Sequence, residues 1–113
     1  MKVSELSGAR LDYWVERAAG SKCAELYFEN GAWHATDAGV KVFYSRTWRQ
    51  GGPIIERKGI SLAYEDSPKV LTPWCARSRD GKVVMCADEA LVAAMRCYVA
   101  SVFGFEVSDE VTA

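Results

Sequence analysis

The chain has 113 residues, with 14 Lys+Arg against 15 Asp+Glu and a formal net charge of -1. Its composition, 50% apolar and 12% aromatic, fits one folded domain and argues against two domains or an intrinsically disordered chain. No apolar run approaches the roughly 20 residues of a membrane span, and Met1-Lys2-Val3-Ser4-Glu5 places an acid where a signal peptide carries its apolar stretch. A membrane protein, a secreted disulfide miniprotein, a coiled coil and a strongly basic DNA-coating protein are therefore not expected, and a cytoplasmic location is.

The first element reads as a helix over residues 8–19. Ser7 is placed as N-cap, Leu6 and Leu11 stand at the positions of a hydrophobic staple, and Gly20 supplies the left-handed stop. Leu11, Trp14, Val15 and Ala18 form one helical stripe, with Arg10, Asp12, Glu16 and Arg17 mainly opposite. Residues 22–29 then alternate with period two, which predicts a strand with Ala24, Leu26 and Phe28 facing inward. Asn30-Gly31 predicts a tight turn, Trp33 can begin a short return strand, and residues 40–44 form a further strand candidate.

Residues 45–58 carry the chain's least regular pattern. Pro is favourable at the first position of a helix, so a short helix is expected from Pro53 to Lys58, closed by Gly59, with a separate turn of helix over 47–50. Gly51-Gly52-Pro53 could offer amides to an anion, but the pattern matches no phosphate-loop spacing. A bend that lets the chain cross a neighbouring element closely accounts for it better.

Residues 60–64 read as a strand, and 72–79 with 82–87 as a hairpin around Asp80-Gly81, the type I′ signal. A two-residue turn there places Cys75 opposite Cys86 at a hydrogen-bonded pair. The Cα atoms of such a pair lie about 5.5 Å apart, an unsuitable setting for a bridge. The expectation is two reduced neighbours, and four thiols in all (Cys23, Cys75, Cys86, Cys97) acting as small hydrophobes. No Cys-x-x-Cys occurs and His34 is the lone histidine, so no metal and no cofactor is expected.

Asp88 is the expected cap of the last helix, which runs from Ala90 to Phe103 with Arg96 as its only charge. A helix apolar on nearly every side has to be covered on more than one side. Either it is the central core helix, or Leu91, Met95, Tyr98 and Val102 form a self-interface in a homodimer. The elements read as an α+β domain over residues 1–105: a small, mostly antiparallel sheet packed with an N-terminal amphipathic helix, a short middle helix and the apolar C-terminal helix. Residues 106–113 are expected to form a mobile acidic tail.

Several strings resemble the NinX-type family of small phage and prophage proteins. They are Leu6-Ser7-Gly8 with Leu11-Asp12-Tyr13-Trp14-Val15, Tyr44-Ser45, Trp48 with Gly51-Gly52-Pro53-Ile54-Ile55-Glu56-Arg57, Trp74-Cys75-Ala76, and Ala93 through Ser101. The layout is also loosely similar to phage α-β-α sandwich proteins. The resemblance implies a phage-encoded protein inside a bacterial host cell, and it supplies no catalytic residues.

The residues themselves offer no catalytic constellation. His34 is distant in sequence from each cysteine, and Asp12 with Glu16, neighbours one helical turn apart, read as a solvated face rather than a metal site. The best lead is the stretch from Lys41 to Lys58, whose five basic residues face one acid. There Tyr44, Arg46, Trp48, Arg49 and Arg57 combine the charges that meet phosphate with the rings that stack on bases. Two functions are therefore in view. A non-enzymatic accessory protein acting by protein–protein contact is favoured, and a weak nucleic-acid binder using residues 41–58 is the alternative.

Overall fold

The computed structural model describes residues 1–67, 69 and 71–108. A 3-10 turn (Val3–Glu5) leads into α1 (Gly8–Ala18), β1 (Ala24–Glu29), β2 (Ala32–Asp37), β3 (Val40–Lys41) and α2 (Trp48–Lys58). After these come β4 (Ser61–Tyr64), β5 (Trp74–Arg77), β6 (Val84–Ala87) and α3 (Ala90–Phe103). The class is α+β, as expected, but the strands divide into two antiparallel sheets of three, β1-β2-β3 and β4-β5-β6, instead of one. Helix α1 lies against β1 and β2, α3 lies against the second sheet, and the two helices pack on each other between them.

That position explains α1. Its stripe is buried as predicted (Leu11 and Val15 at 0%), but Asp12 and Glu16 on the other side are buried too. A helix held between a sheet and a second helix has little face left for water. Ser7 occupies the N-cap with extended backbone, yet its hydroxyl makes no capping bond. The staple residues Leu6 and Leu11 are both buried, and Gly20 takes the positive φ of 90°.

Helix α2 corrects the reading of residues 45–58. It is one helix that runs through Gly51, Gly52 and Pro53. Gln50 strengthens its start by accepting the Phe43 amide on Oε1 at 2.6 Å. Gly51 is where α2 crosses its neighbours, because a Cβ there would stand 2.4 Å from the Tyr44 carbonyl oxygen and 2.7 Å from a Leu91 methyl. The close crossing is real, and a helix makes it.

The two hairpins differ. Asn30 (φ 53°) and Gly31 (φ 79°) form the expected two-residue turn, with Glu29 opposite Ala32. At the second hairpin the register is as predicted, with Cys75 opposite Cys86, but the turn is longer. The Ser78 amide donates to the Val83 carbonyl at 2.9 Å, and the Gly81 amide closes back on Ser78. Hydrogen-bonded and non-hydrogen-bonded pairs alternate along an antiparallel ladder. Moving the closing pair from Arg79/Lys82 to Ser78/Val83 therefore converts Cys75/Cys86 into a non-hydrogen-bonded pair. Their Cα atoms lie 4.1 Å apart and the two residues form a disulfide, which overturns the expectation of reduced neighbours. Cys23 is free and exposed, and Cys97 free and buried.

Phe28 also departs from expectation. It is 60% exposed and packs edge-on against Trp33, its cross-strand partner, near the hairpin tip. Its ring meets Trp33 there and no part of the buried core.

Helix α3 has the predicted bounds, though Glu89 rather than Asp88 is its N-cap, without a side-chain capping bond. Leu91, Val92, Met95, Cys97, Tyr98 and Val99 are buried within the chain itself. Beyond α3 the chain returns to its own beginning: the Met1 ammonium donates to the Val107 carbonyl at 2.8 Å, the backbones of Lys2 and Glu106 pair as an isolated antiparallel β-bridge, and Val107 is buried. Glu106 and Val107 are thus part of the folded body. Ser108 is exposed, and residues 109–113 of the expected tail lie outside the described residues.

Candidate functional site

The turn between β3 and α2 is anchored on α1. The buried Asp12 carboxylate accepts the Ser45 amide at 2.7 Å on one oxygen and the Arg46 guanidinium at 3.1 Å on the other. One helical turn further on, Glu16 accepts the Tyr44 hydroxyl. Two carboxylates four residues apart on one helix face therefore hold three consecutive residues, 44–46, of a turn some thirty positions away. Burial raises the pKa of both Asp12 and Glu16, while the hydrogen bonds they accept pull the other way. The Tyr44 hydroxyl is likewise pushed up, first by burial and then by donating to Glu16. Arg46 also lies over the Phe43 ring at 4.8 Å, which fixes the guanidinium between a carboxylate and an aromatic face.

This anchored turn forms one wall of a cleft of about 390 Å³, in the size range of ligand pockets. Trp48, at the first position of α2, and Trp74, at the start of β5, line it with Ser45, Arg46 and the segment from Asp88 to Leu91 that opens α3. Trp48 is 57% exposed, whereas Trp74 is half-buried and packs edge-on against the exposed Tyr64 at 5.0 Å. The Ser45 hydroxyl is buried and has no hydrogen-bond partner.

Of the five residues singled out between 41 and 58, Arg46 and Trp48 meet in this cleft. Tyr44 is adjacent, with its hydroxyl turned inward to Glu16. Arg49 is exposed on α2. Arg57 lies near the far end of the helix, about 13 Å along the axis from Trp48. Of the four residues considered for a self-interface, Leu91, Met95 and Tyr98 are covered by the chain itself and Val102 is 48% exposed. Sequence reasoning missed Ser45, Trp74, Asp88 and Glu89 as cleft residues. It also took Asp12 for a solvated position, although a carboxylate on α1 offers no local sign of a partner 33 residues away.

The other chemically notable groups stand apart. His34 faces the Tyr27 ring and contacts the Glu29 carbonyl at 3.2 Å. Burial pushes the Cys97 thiol up to about 11. Among the described residues, no group of three or more His, Cys, Asp or Glu side chains is placed to hold a metal ion.

Fold and cleft together define a small α+β protein, with two three-stranded sheets around a helix pair and an aromatic-walled cleft at the junction of α2, α3 and the second sheet. No helix of the described residues is long and apolar enough to cross a membrane. The chain belongs to the family described as Bacteriophage P22, NinX, whose model matches residues 2–102, from the N-terminal turn almost to the end of α3. Membership places it among phage accessory proteins. No curated protein matches the chain.

Proposed function

We propose that the protein is a non-enzymatic phage accessory factor that acts by protein–protein contact, with the Trp48/Trp74 cleft as its contact site. The observation that carries this reading is the exposure of Trp48 at the mouth of a cleft shared with Trp74 and Arg46. Tryptophan, tyrosine and arginine dominate the binding energy of protein interfaces, and a 57% exposed tryptophan held on a helix N-terminus gains most of its burial only when something covers it.

The state of the titratable groups supports a non-enzymatic role. Asp12 and Glu16 are occupied in holding the 44–46 turn, and a thiol raised to about 11 is protonated and unreactive at neutral pH. The nucleic-acid alternative finds less support at the cleft. The Arg46 charge is answered by Asp12, and Asp88 and Glu89 line the same space, where a phosphate backbone would meet repulsion.

The test compares wild-type protein with Trp48→Ala as baits in phage-infected cells. A partner captured by the wild type and lost with the variant, while circular dichroism stays unchanged, is the expected result. Equal capture by both removes the cleft from the contact. Titration with a labelled oligonucleotide addresses the alternative: salt-sensitive binding that weakens in Arg49→Ala and Arg57→Ala would favour nucleic acid.

A further inference from the structure

The charge balance of the cleft indicates what its occupant carries. Arg46 and Asp12 form an ion pair at 3.1 Å and cancel each other. Asp88 and Glu89 remain, both exposed, and neither side chain has a hydrogen bond or ion pair among the described residues. Arg96 lies close enough to feel Asp88, but its guanidinium is committed to the backbone carbonyls of Leu6 and Cys86 at 2.8 and 3.0 Å. The positive end of α3 would ordinarily draw an anion. Here two carboxylates at its N-terminus offset that end and leave the mouth acidic.

The walls show a matching preference. Trp48 and Trp74 present indole surface to the same space, and Tyr64 backs Trp74 edge-on. Aromatic faces beside unpaired carboxylates favour a cation, and a planar guanidinium gains most, because it can stack on a ring while its edge donates to carboxylates.

We propose that the cleft receives an arginine side chain from a basic segment of a partner protein, held between Trp48 and Trp74 and paired with Asp88 and Glu89. This rests on the reading of the cleft as a protein contact site and adds the chemistry of the residue that enters it.

The test uses the full chain and an acetylated, amidated tetra-arginine peptide at low salt, followed by calorimetry. Peptides of tetra-citrulline, which keeps the planar shape without the charge, and tetra-glutamate serve as comparators. Tetra-arginine is expected to bind, tetra-citrulline at least about tenfold more weakly, and tetra-glutamate not at all. Trp48→Ala and the pair Asp88→Asn with Glu89→Gln should each weaken tetra-arginine binding about fivefold or more. Trp33→Ala, and Glu25→Gln with Glu29→Gln, remove an exposed tryptophan and the same two charges on the first sheet, and should leave binding unchanged. The proposal is overturned if wild-type protein fails to bind tetra-arginine, if citrulline binds equally, or if the first-sheet variants weaken binding as much as the cleft variants. Capture of the natural partner separates the two levels. Loss with Trp48→Ala but not with Asp88→Asn/Glu89→Gln would leave a contact site whose occupant is not cationic, and loss with neither would remove both readings.

Discussion

The two hairpins carry nearly the same sequence signal and end in different turns. Asn30-Gly31 puts both central residues at positive φ and closes in two residues, whereas at Asp80-Gly81 only the glycine does so. The difference lies in the side chains. Asp80 accepts the Ser78 hydroxyl at 2.7 Å and the Lys82 amide at 3.0 Å, and the Ser78 hydroxyl in turn accepts the Val83 amide at 3.1 Å. These bonds stabilise a wider loop with Asp80 in an ordinary conformation, and the wider loop changes the pairing type of every residue behind it. One sheet is therefore tied by a covalent link, and the other leans on α1 and its buried carboxylates. An X-Gly pair marks a turn; its neighbours set the turn's length and, through it, which cross-strand pairs come close.

The largest expected effect probes the apolar support of the second sheet. Met95→Glu puts a charge at a fully buried position of α3 and should cost more than about 4 kcal/mol, enough to abolish the fold in far-UV circular dichroism. Val102→Glu, at a 48% exposed position, should leave the spectrum intact.

Next comes the link itself. Reducing Cys75–Cys86, or replacing both residues by alanine, should remove about 2–3 kcal/mol and lower Tm by roughly 10 °C or more. A thiol assay on unreduced protein should find two reactive sulfurs, Cys23 at once and Cys97 only after unfolding; four would erase the contrast between the sheets. On the other side, Asp12→Ala strips the Ser45 amide and the half-exposed Arg46 of their partner. It should cost about 2 kcal/mol in chemical denaturation.

Gly31→Ala and Gly81→Ala compare the turns directly. Both glycines hold positive φ with open space around them, so each substitution should cost about 1 kcal/mol from the backbone alone. A much smaller loss at Gly81 would mean that its loop relaxes where the two-residue turn cannot.

The smallest effects separate the two regions by the sign of their pH dependence. Asp12 and Glu16 are raised from 3.8 and 4.5, chiefly by burial. Their contribution is full below those values and falls as pH rises through the folded ones. Asp80 is lowered from 3.8, first by the Ser78 hydroxyl and then by the Lys82 amide. Its contribution is full above 3.8 and is lost as pH falls through its folded value. Asp12→Asn should therefore flatten the stability curve on the neutral side, and Asp80→Asn on the acid side.

Patterns confined to one element were legible in the sequence. The period of α1, the apolar sweep of α3, the Asn30-Gly31 turn and the register of β5 with β6 all follow from neighbours a few residues apart. Helix α2 was not, because two glycines and a proline speak against a helix interior, and only the crossing over Tyr44 and Leu91 explains why a glycine stands at 51. Within the cleft, Arg46 and Trp48 could be singled out by type. Ser45, Trp74, Asp88 and Glu89 could not, since they come from three separate stretches that only the packing of α2 and the second sheet against α3 brings together. Asp12 shows the same limit: a carboxylate on an amphipathic helix reads as wet until a distant turn arrives to cover it.

Gly51 has a consequence for the cleft. With only hydrogen on its α-carbon, residue 51 lets α2 approach the Tyr44 backbone and Leu91 more closely than any side chain would allow. Trp48 sits three residues earlier on the same rod, and Leu91 belongs to the opposite wall. The closeness of the crossing thus sets how wide the mouth stands. Any larger residue at 51 would pry the walls apart before it touched anything that binds.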